Sequence, residues 1–193
     1  MIRWHAALAL GQALLPASLT AQLGEVHLGV LAGYGTAGAY GPGAGVIVGV
    51  AAGRLAYVGA RWTYFFGDTG TQSDTSGTFT VEDRVQMFAA DLGLQYPAGP
   101  VEIVAGLTIG AIRLAQRATP VAPGTGATTA EVGVEFLAAP NVSVQLRALG
   151  LLVIPEVMYT FTGAPDLRWP VDRRGPVFSL RVVLPFEVQR IRR

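Results

Sequence analysis

The sequence contains no cysteine. That excludes disulfides, thiolate metal sites and a lipidated N-terminal cysteine, so packing and hydrogen bonding must hold the fold. It contains no lysine either, and every basic side chain is arginine. Charge of both signs is scarce, at 14% of residues. The 14 basic residues stand against 13 acidic ones, a balance with no electrostatic case for nucleic acid. Histidine is limited to His5 and His27, and no P-loop, GxSxG pattern or metal-ligand cluster occurs. No cofactor is expected. A convincing transmembrane helix is also missing. Leu28 to Gly53 carries no charge and is long enough to span, but it is broken throughout by glycine and by Pro42.

What is abundant is apolar surface and glycine. Hydrophobic residues make up 51% of the 193-residue chain, with 25 glycines and a mean hydropathy of +0.42. This is apolar for one soluble domain of that length. Met1 to about Ala21 reads as a secretory signal: Arg3 gives a positive start, Ala6 to Leu15 an apolar core, and Leu19-Thr20-Ala21 a cleavage site. Residues 22–193 then form one β-domain.

Period-two alternation runs through that domain. Val26, Leu28 and Val30 alternate with His27 and Gly29; Val46, Val48 and Val50 alternate with Ile47 and Gly49. From Leu55 to Phe66, Val58, Ala60, Trp62, Tyr64 and Phe66 share one face against Tyr57, Arg61 and Thr63. Gly67 to Thr80 reads as a solvated Thr/Ser/Gly/Asp loop, and its Asp68–Asp74 spacing lacks the pattern of a calcium loop. Further strands are expected over Arg84–Tyr96, Val101–Arg113, Val132–Ala138 and Val142–Ile154, with short turns at Pro97–Pro100 and Ala139-Pro140-Asn141. Pro155 to about Arg174 reads as a long loop. The closing strand, Gly175–Phe186, sets Phe178, Leu180, Val182, Leu184 and Phe186 on one face.

That closing strand resembles the C-terminal signature strand of bacterial outer-membrane β-barrels, which alternates apolar residues and ends on an aromatic; here Glu187 to Arg193 follow it. Eight strands with links alternating long and short extend the likeness, over Leu23 to Phe186, to the small family of OmpA-type transmembrane domains and OmpX. The reading is an all-β fold, an eight-stranded antiparallel up-and-down transmembrane β-barrel. The resemblance implies the cell outer membrane, insertion by the barrel-assembly machinery, and contact with outer-membrane lipid and lipopolysaccharide.

Apolar faces then point to lipid and the minority faces line the lumen. Arg61, Asp91, Glu135, Arg147 and Arg181 count to similar heights from the short-turn end, which predicts an interior arginine–acid network with Glu131 and Glu102 as outlying members. An eight-stranded interior is just wide enough to be filled by side chains, so a plug is expected. The alternatives are a narrow porin-like channel and a secreted lipocalin-like barrel whose apolar face turns inward around a ligand. Trp62, Tyr64, Phe66, Tyr96, Phe178 and Phe186 are the expected interfacial aromatics. Arg84, Arg113 and Arg117 are candidates for lipopolysaccharide phosphates, and Arg190, Arg192 and Arg193 for anionic lipid or solvent. His27, inward near the short-turn end, has no nucleophile–base–acid company, so no catalytic residue is assigned.

Overall fold

The computed structural model describes residues 23–52, 55–122, 127–163 and 165–187. The expected signal segment and the arginines after Phe186 lie outside them. Among the described residues there are nine strands: β1 (Leu23–Gly35), β2 (Gly41–Ala52), β3 (Ala56–Phe65), β4 (Thr69–Asp74), β5 (Gly77–Ala98), β6 (Val101–Pro120), β7 (Thr129–Ala148), β8 (Leu151–Thr162) and β9 (Gly175–Glu187). Eight of them close a ring in the order β1, β2, β3, β5, β6, β7, β8, β9 and back to β1, every pairing antiparallel. Closure leaves no edge within the barrel wall, the condition for a sheet to sit in hydrocarbon.

β4 is not a separate stave. Both it and β3 pair with β5, first as Phe65↔Val85 and then, one residue out of step, as Thr69↔Glu82. The intervening bulge turns on Gly67, whose φ of +71° suits glycine, and where an added Cβ would overlap the Asp83 carbonyl oxygen. The stretch expected to be a loop over Gly67–Thr80 is therefore a hairpin rising above the barrel. All six β4 residues are exposed, so no hydrophobic alternation marks the strand.

The turn expected at Ala139-Pro140-Asn141 does not exist, and the long loop expected from Pro155 begins only after Thr162, its first half being strand. β7 runs straight through Pro140 to a two-residue turn at Leu149-Gly150, both with positive φ, and β8 returns over Leu151–Thr162. Pairing of β7 with β8 lapses at Ala139–Pro140 and again at Val144–Gln145, opposite Pro155, then resumes in the same register. Each proline lacks a ladder donor, but the strand's other neighbour holds it: Leu107 pairs with Pro140 and Leu180 with Pro155.

The sidedness follows the alternation in the sequence. Leu28, Val30, Val46, Val58, Leu92, Ile103, Val134, Val157, Leu180 and Leu184 all lie on the outer surface and are exposed. Inside, the half nearer the long connections holds an apolar layer that includes Tyr40, Phe65, Val85, Met87, Ile112, Leu114, Leu137, Met158 and Val177. A second cluster, Leu31, Ile47, Leu152, Ile154 and Val183, lies on the side where β1, β2, β8 and β9 meet. Aromatics gather outside towards the long connections. Tyr64 and Phe66 meet at 5.3 Å, Tyr159 and Phe161 at 4.8 Å, and Tyr34 pairs across from Phe178. Trp62 faces out beside Phe88, and Tyr96 and Phe186 are exposed towards the opposite rim.

Candidate functional site

Two places carry chemistry: a charged layer across the barrel and a vestibule at the end of the long connections. In the first, Arg61, Asp91, Glu156 and Arg181 are each 5% exposed or less. Arg61 donates from Nε to both Asp91 oxygens at 2.9 Å, and from Nη1 and Nη2 to the Glu156 oxygens at 2.7 and 3.0 Å. Arg181 pairs with Glu156 through Nη2 and lies 3.9 Å from Asp91 through Nη1. Thr108 donates to Asp91 at 2.7 Å and is itself held by Asn141 at 3.0 Å; Ser179 donates to Glu156 at 3.0 Å. Two cations and two anions thus neutralise one another, and Thr108 and Ser179 each add a hydroxyl donor to a carboxylate, while the buried Nε of Arg181 has no hydrogen-bond partner among the described residues. Buried charge is tolerable only under such conditions, since removing one member of a buried pair typically costs about 3–5 kcal/mol.

Of the seven residues expected in one network, the structure brings together Arg61, Asp91 and Arg181. The false turn misplaces Glu131, Glu135 and Arg147, all on β7, whereas Glu102 follows the short turn expected at Pro97–Pro100 and stays outside the layer. Asp91 pairs with Thr108, and Thr108 with Ala139, so the charged layer meets β7 at Ala139. Glu135 lies four residues nearer the long connections, against Gly163. Glu131 is further out and accepts the Arg168 backbone N–H at 2.8 Å. Arg147 lies at the short-turn mouth, exposed and bonded to Glu25 at 2.8 Å, with Glu102 beside the same mouth. Glu25 also meets His27 at 3.2 Å; His27 is 1% exposed and its ring lies 5.7 Å from Tyr57.

Glu156 escapes the sequence reading because its strand resembles a loop opened by Pro155. Leu152, Ile154, Glu156, Met158, Thr160 and Thr162 alternate inward against outward Val157, Tyr159 and Phe161, which is the available signal. Arg84, Arg113 and Arg117 share the outer surface of β5 and β6, but acids and amides interleave them. Arg117 stands opposite Glu82, which lies 3.7 Å from Arg84, and Arg113 stands opposite Gln86.

The vestibule is built where the β8–β9 connection crosses the mouth. Gln116 clamps it, accepting from Trp169 N at 3.2 Å and donating to Trp169 O at 3.0 Å and to Asp83 at 2.9 Å. Arg168 lies over the rings of Phe79 and Trp169, 4.9 and 5.1 Å from their centroids, and reaches Asp74 and Ser76 at the hairpin tip. Next to it around the rim, the β1–β2 connection folds inward, with Ala37, Ala39 and Tyr40 buried and Ala39 N bonded to Asp172 O at 3.1 Å.

An apolar exterior, a charged layer buried inside beside apolar clusters, and long connections at one end describe a barrel whose outer face suits hydrocarbon. The fold is that of a bacterial outer-membrane barrel. A major outer membrane protein from Thermus thermophilus superposes with a TM-score of 0.67 at 13% identity, covering 84% of this chain and 99% of that one. Ail, the attachment invasion locus protein of Yersinia pestis, gives 0.52 at 11% identity over 85% and 99%. Neisserial surface protein A gives 0.50 at 12% over 84% and 96%. At these identities the likeness is one of fold. No family model matches the sequence, and no curated protein matches it. The inverted, lipocalin-like alternative fails on sidedness, because the faces that would have to line its cavity point outward.

Proposed function

We propose that this outer-membrane barrel is a sealed, non-enzymatic anchor that presents its long connections at the cell surface as an interaction platform. The observation that carries this reading is the stacking of three closures along one interior: the Arg61–Asp91–Glu156–Arg181 layer, the apolar layer from Phe65 to Met158, and the inward-folded connections clamped by Gln116. A narrow channel would need a continuous polar path through those layers. In the same reading the short-turn end faces the periplasm, and the barrel-assembly machinery inserts the chain. Arg84, Arg113 and Arg117 meet phosphates of outer-leaflet lipid or lipopolysaccharide from the rim of the apolar band.

The deciding experiment is single-channel recording in planar bilayers, on protein whose folded state is checked by the mobility difference between boiled and unboiled samples. The expected result is a closed membrane with no steady conductance. A large, persistent wild-type pore would sink the sealed-anchor reading and favour the channel.

A further inference from the structure

The barrel wall has one interrupted seam. Among the described residues the ladders of β2–β3, β3–β5, β5–β6, β6–β7, β8–β9 and β9–β1 run without a gap, and β1–β2 shifts only at its end, between Leu23 and Glu25. The β7–β8 ladder lapses twice, at Ala139–Pro140 and at Val144–Gln145 opposite Pro155. Both missing N–H groups face this seam, because the ladder from β7 to β6 runs on through Pro140 and that from β8 to β9 through Pro155. Both prolines lie exposed on the outer surface, and their partners Leu107 and Leu180 belong to the apolar belt. Hydrocarbon offers no water in place of a lost ladder bond, so each gap leaves a backbone carbonyl without its donor.

The charged layer lies directly behind these gaps. Glu156 follows Pro155 on β8, and Asn141 follows Pro140 on β7. From β3, across the ring, Arg61 donates to Glu156 at 2.7 and 3.0 Å and to Asp91 at 2.9 Å. Asp91 accepts from Thr108 at 2.7 Å, and Thr108 from Asn141 at 3.0 Å. A continuous chain of side-chain hydrogen bonds therefore runs from β8 through β3, β5 and β6 to β7, and ties together the two strands whose own ladder is broken. We propose that the charged layer is an internal clasp for a lateral seam: it holds β7 to β8 from inside the lumen, and the wall parts there towards lipid when the clasp is broken. Charge suits this task, because a buried network is strong only when complete and loses its hold once a member is removed. The seam belongs to the wall and not to the lumen axis, so it stands whether or not the barrel conducts.

The test is amide deuterium exchange of the folded protein in lipid nanodiscs, followed residue by residue by NMR, with the unbroken β9–β1 seam as internal control. Glu156→Gln is expected to speed exchange across β7–β8 at least tenfold and across β9–β1 less than twofold. Adding Pro140→Ala and Pro155→Ala to that variant restores the missing donors, and is expected to bring the β7–β8 rate back to within about threefold of the wild type. Thr108→Val cuts the arm to Asn141 without removing a charge, which keeps the test alive if Glu156→Gln fails to fold; acceleration of about threefold or more, confined to the same seam, is expected. Equal acceleration of both seams, no acceleration in either folded variant, or no recovery on restoring the donors would each overturn the proposal.

Discussion

Leu149 has a φ of +54° and is fully exposed, followed by Gly150 at +80°. Two consecutive positive φ values define the tight hairpin turn whose twist matches the flanking strands, a turn that favours Asn-Gly. A leucine there bears the clash of Cβ with the following carbonyl, roughly 1–2 kcal/mol, and gains no packing in return. Leu149→Asn is therefore expected to raise folding stability by about 1 kcal/mol, read from urea unfolding in lipid vesicles; an unchanged or lower stability would mean that Leu149 is held there by lipid contact. The opposite logic governs Glu156. It is bonded to both arginines of the charged layer and to Ser179, so one carboxylate sets the positions of three side chains. Such a layer is neutral as a unit and costly in pieces.

At the scale of elements, the β8–β9 connection and the β4–β5 hairpin are joined by the contact of Arg168 with Asp74. Hydrogen bonds from Ser76, and then from Arg168, hold the Asp74 carboxyl down at about 2. A depressed carboxylate stabilises the folded arrangement above its unfolded value, near 4, and loses that contribution as pH falls through the folded one. The clasp is thus expected to be intact from about pH 5 upward and to open between about pH 4 and 2. A carboxyl NMR titration of Asp74, with protease sensitivity of the connection measured alongside, would check it; opening well above the ordinary carboxylate range would contradict it. These outer elements are the least legible in the sequence, because a hairpin solvated on both faces needs no alternation. Inside the wall the alternation sets the sidedness of every strand it identifies, and it also holds the clue to the misplaced turn. Outward residues keep even numbers from Val132 through Ala138 and on from Val142 to Ala148. Unbroken parity across Pro140 is the mark of one strand, and a proline within a closed barrel need not be a stop. The vestibule is out of reach for another reason: its walls come from five segments that only barrel closure brings together.

For the whole molecule, the decisive property is a reversal at the wall: its outer face is apolar and exposed, while charge is kept inside, beside apolar clusters. On β9 the outward residues from Phe178 to Phe186 span about eight residue steps, roughly 26 Å along the strand at about 3.3 Å per residue. At a tilt of about 40° that becomes about 20 Å of height, close to the apolar band of an outer-membrane barrel. Water would leave this belt of Leu, Val, Ile and Phe unsatisfied, whereas hydrocarbon covers it. The interior in turn can hold two cations and two anions because the closed wall pairs the backbone strand to strand and leaves side chains free to neutralise one another. The reversal is most sharply tested at Leu92, which lies midway between outward Phe88 and Tyr96, pairs with Val58 and Leu107, and is 45% exposed. Leu92→Arg puts a charge at the midplane of the belt and is expected to cost about 2–4 kcal/mol of folding free energy in lipid. The same substitution at Leu94, one outward position nearer the rim, should cost less, because the side chain can reach the interface. Equal and negligible costs at both positions would mean that this face does not meet lipid at all.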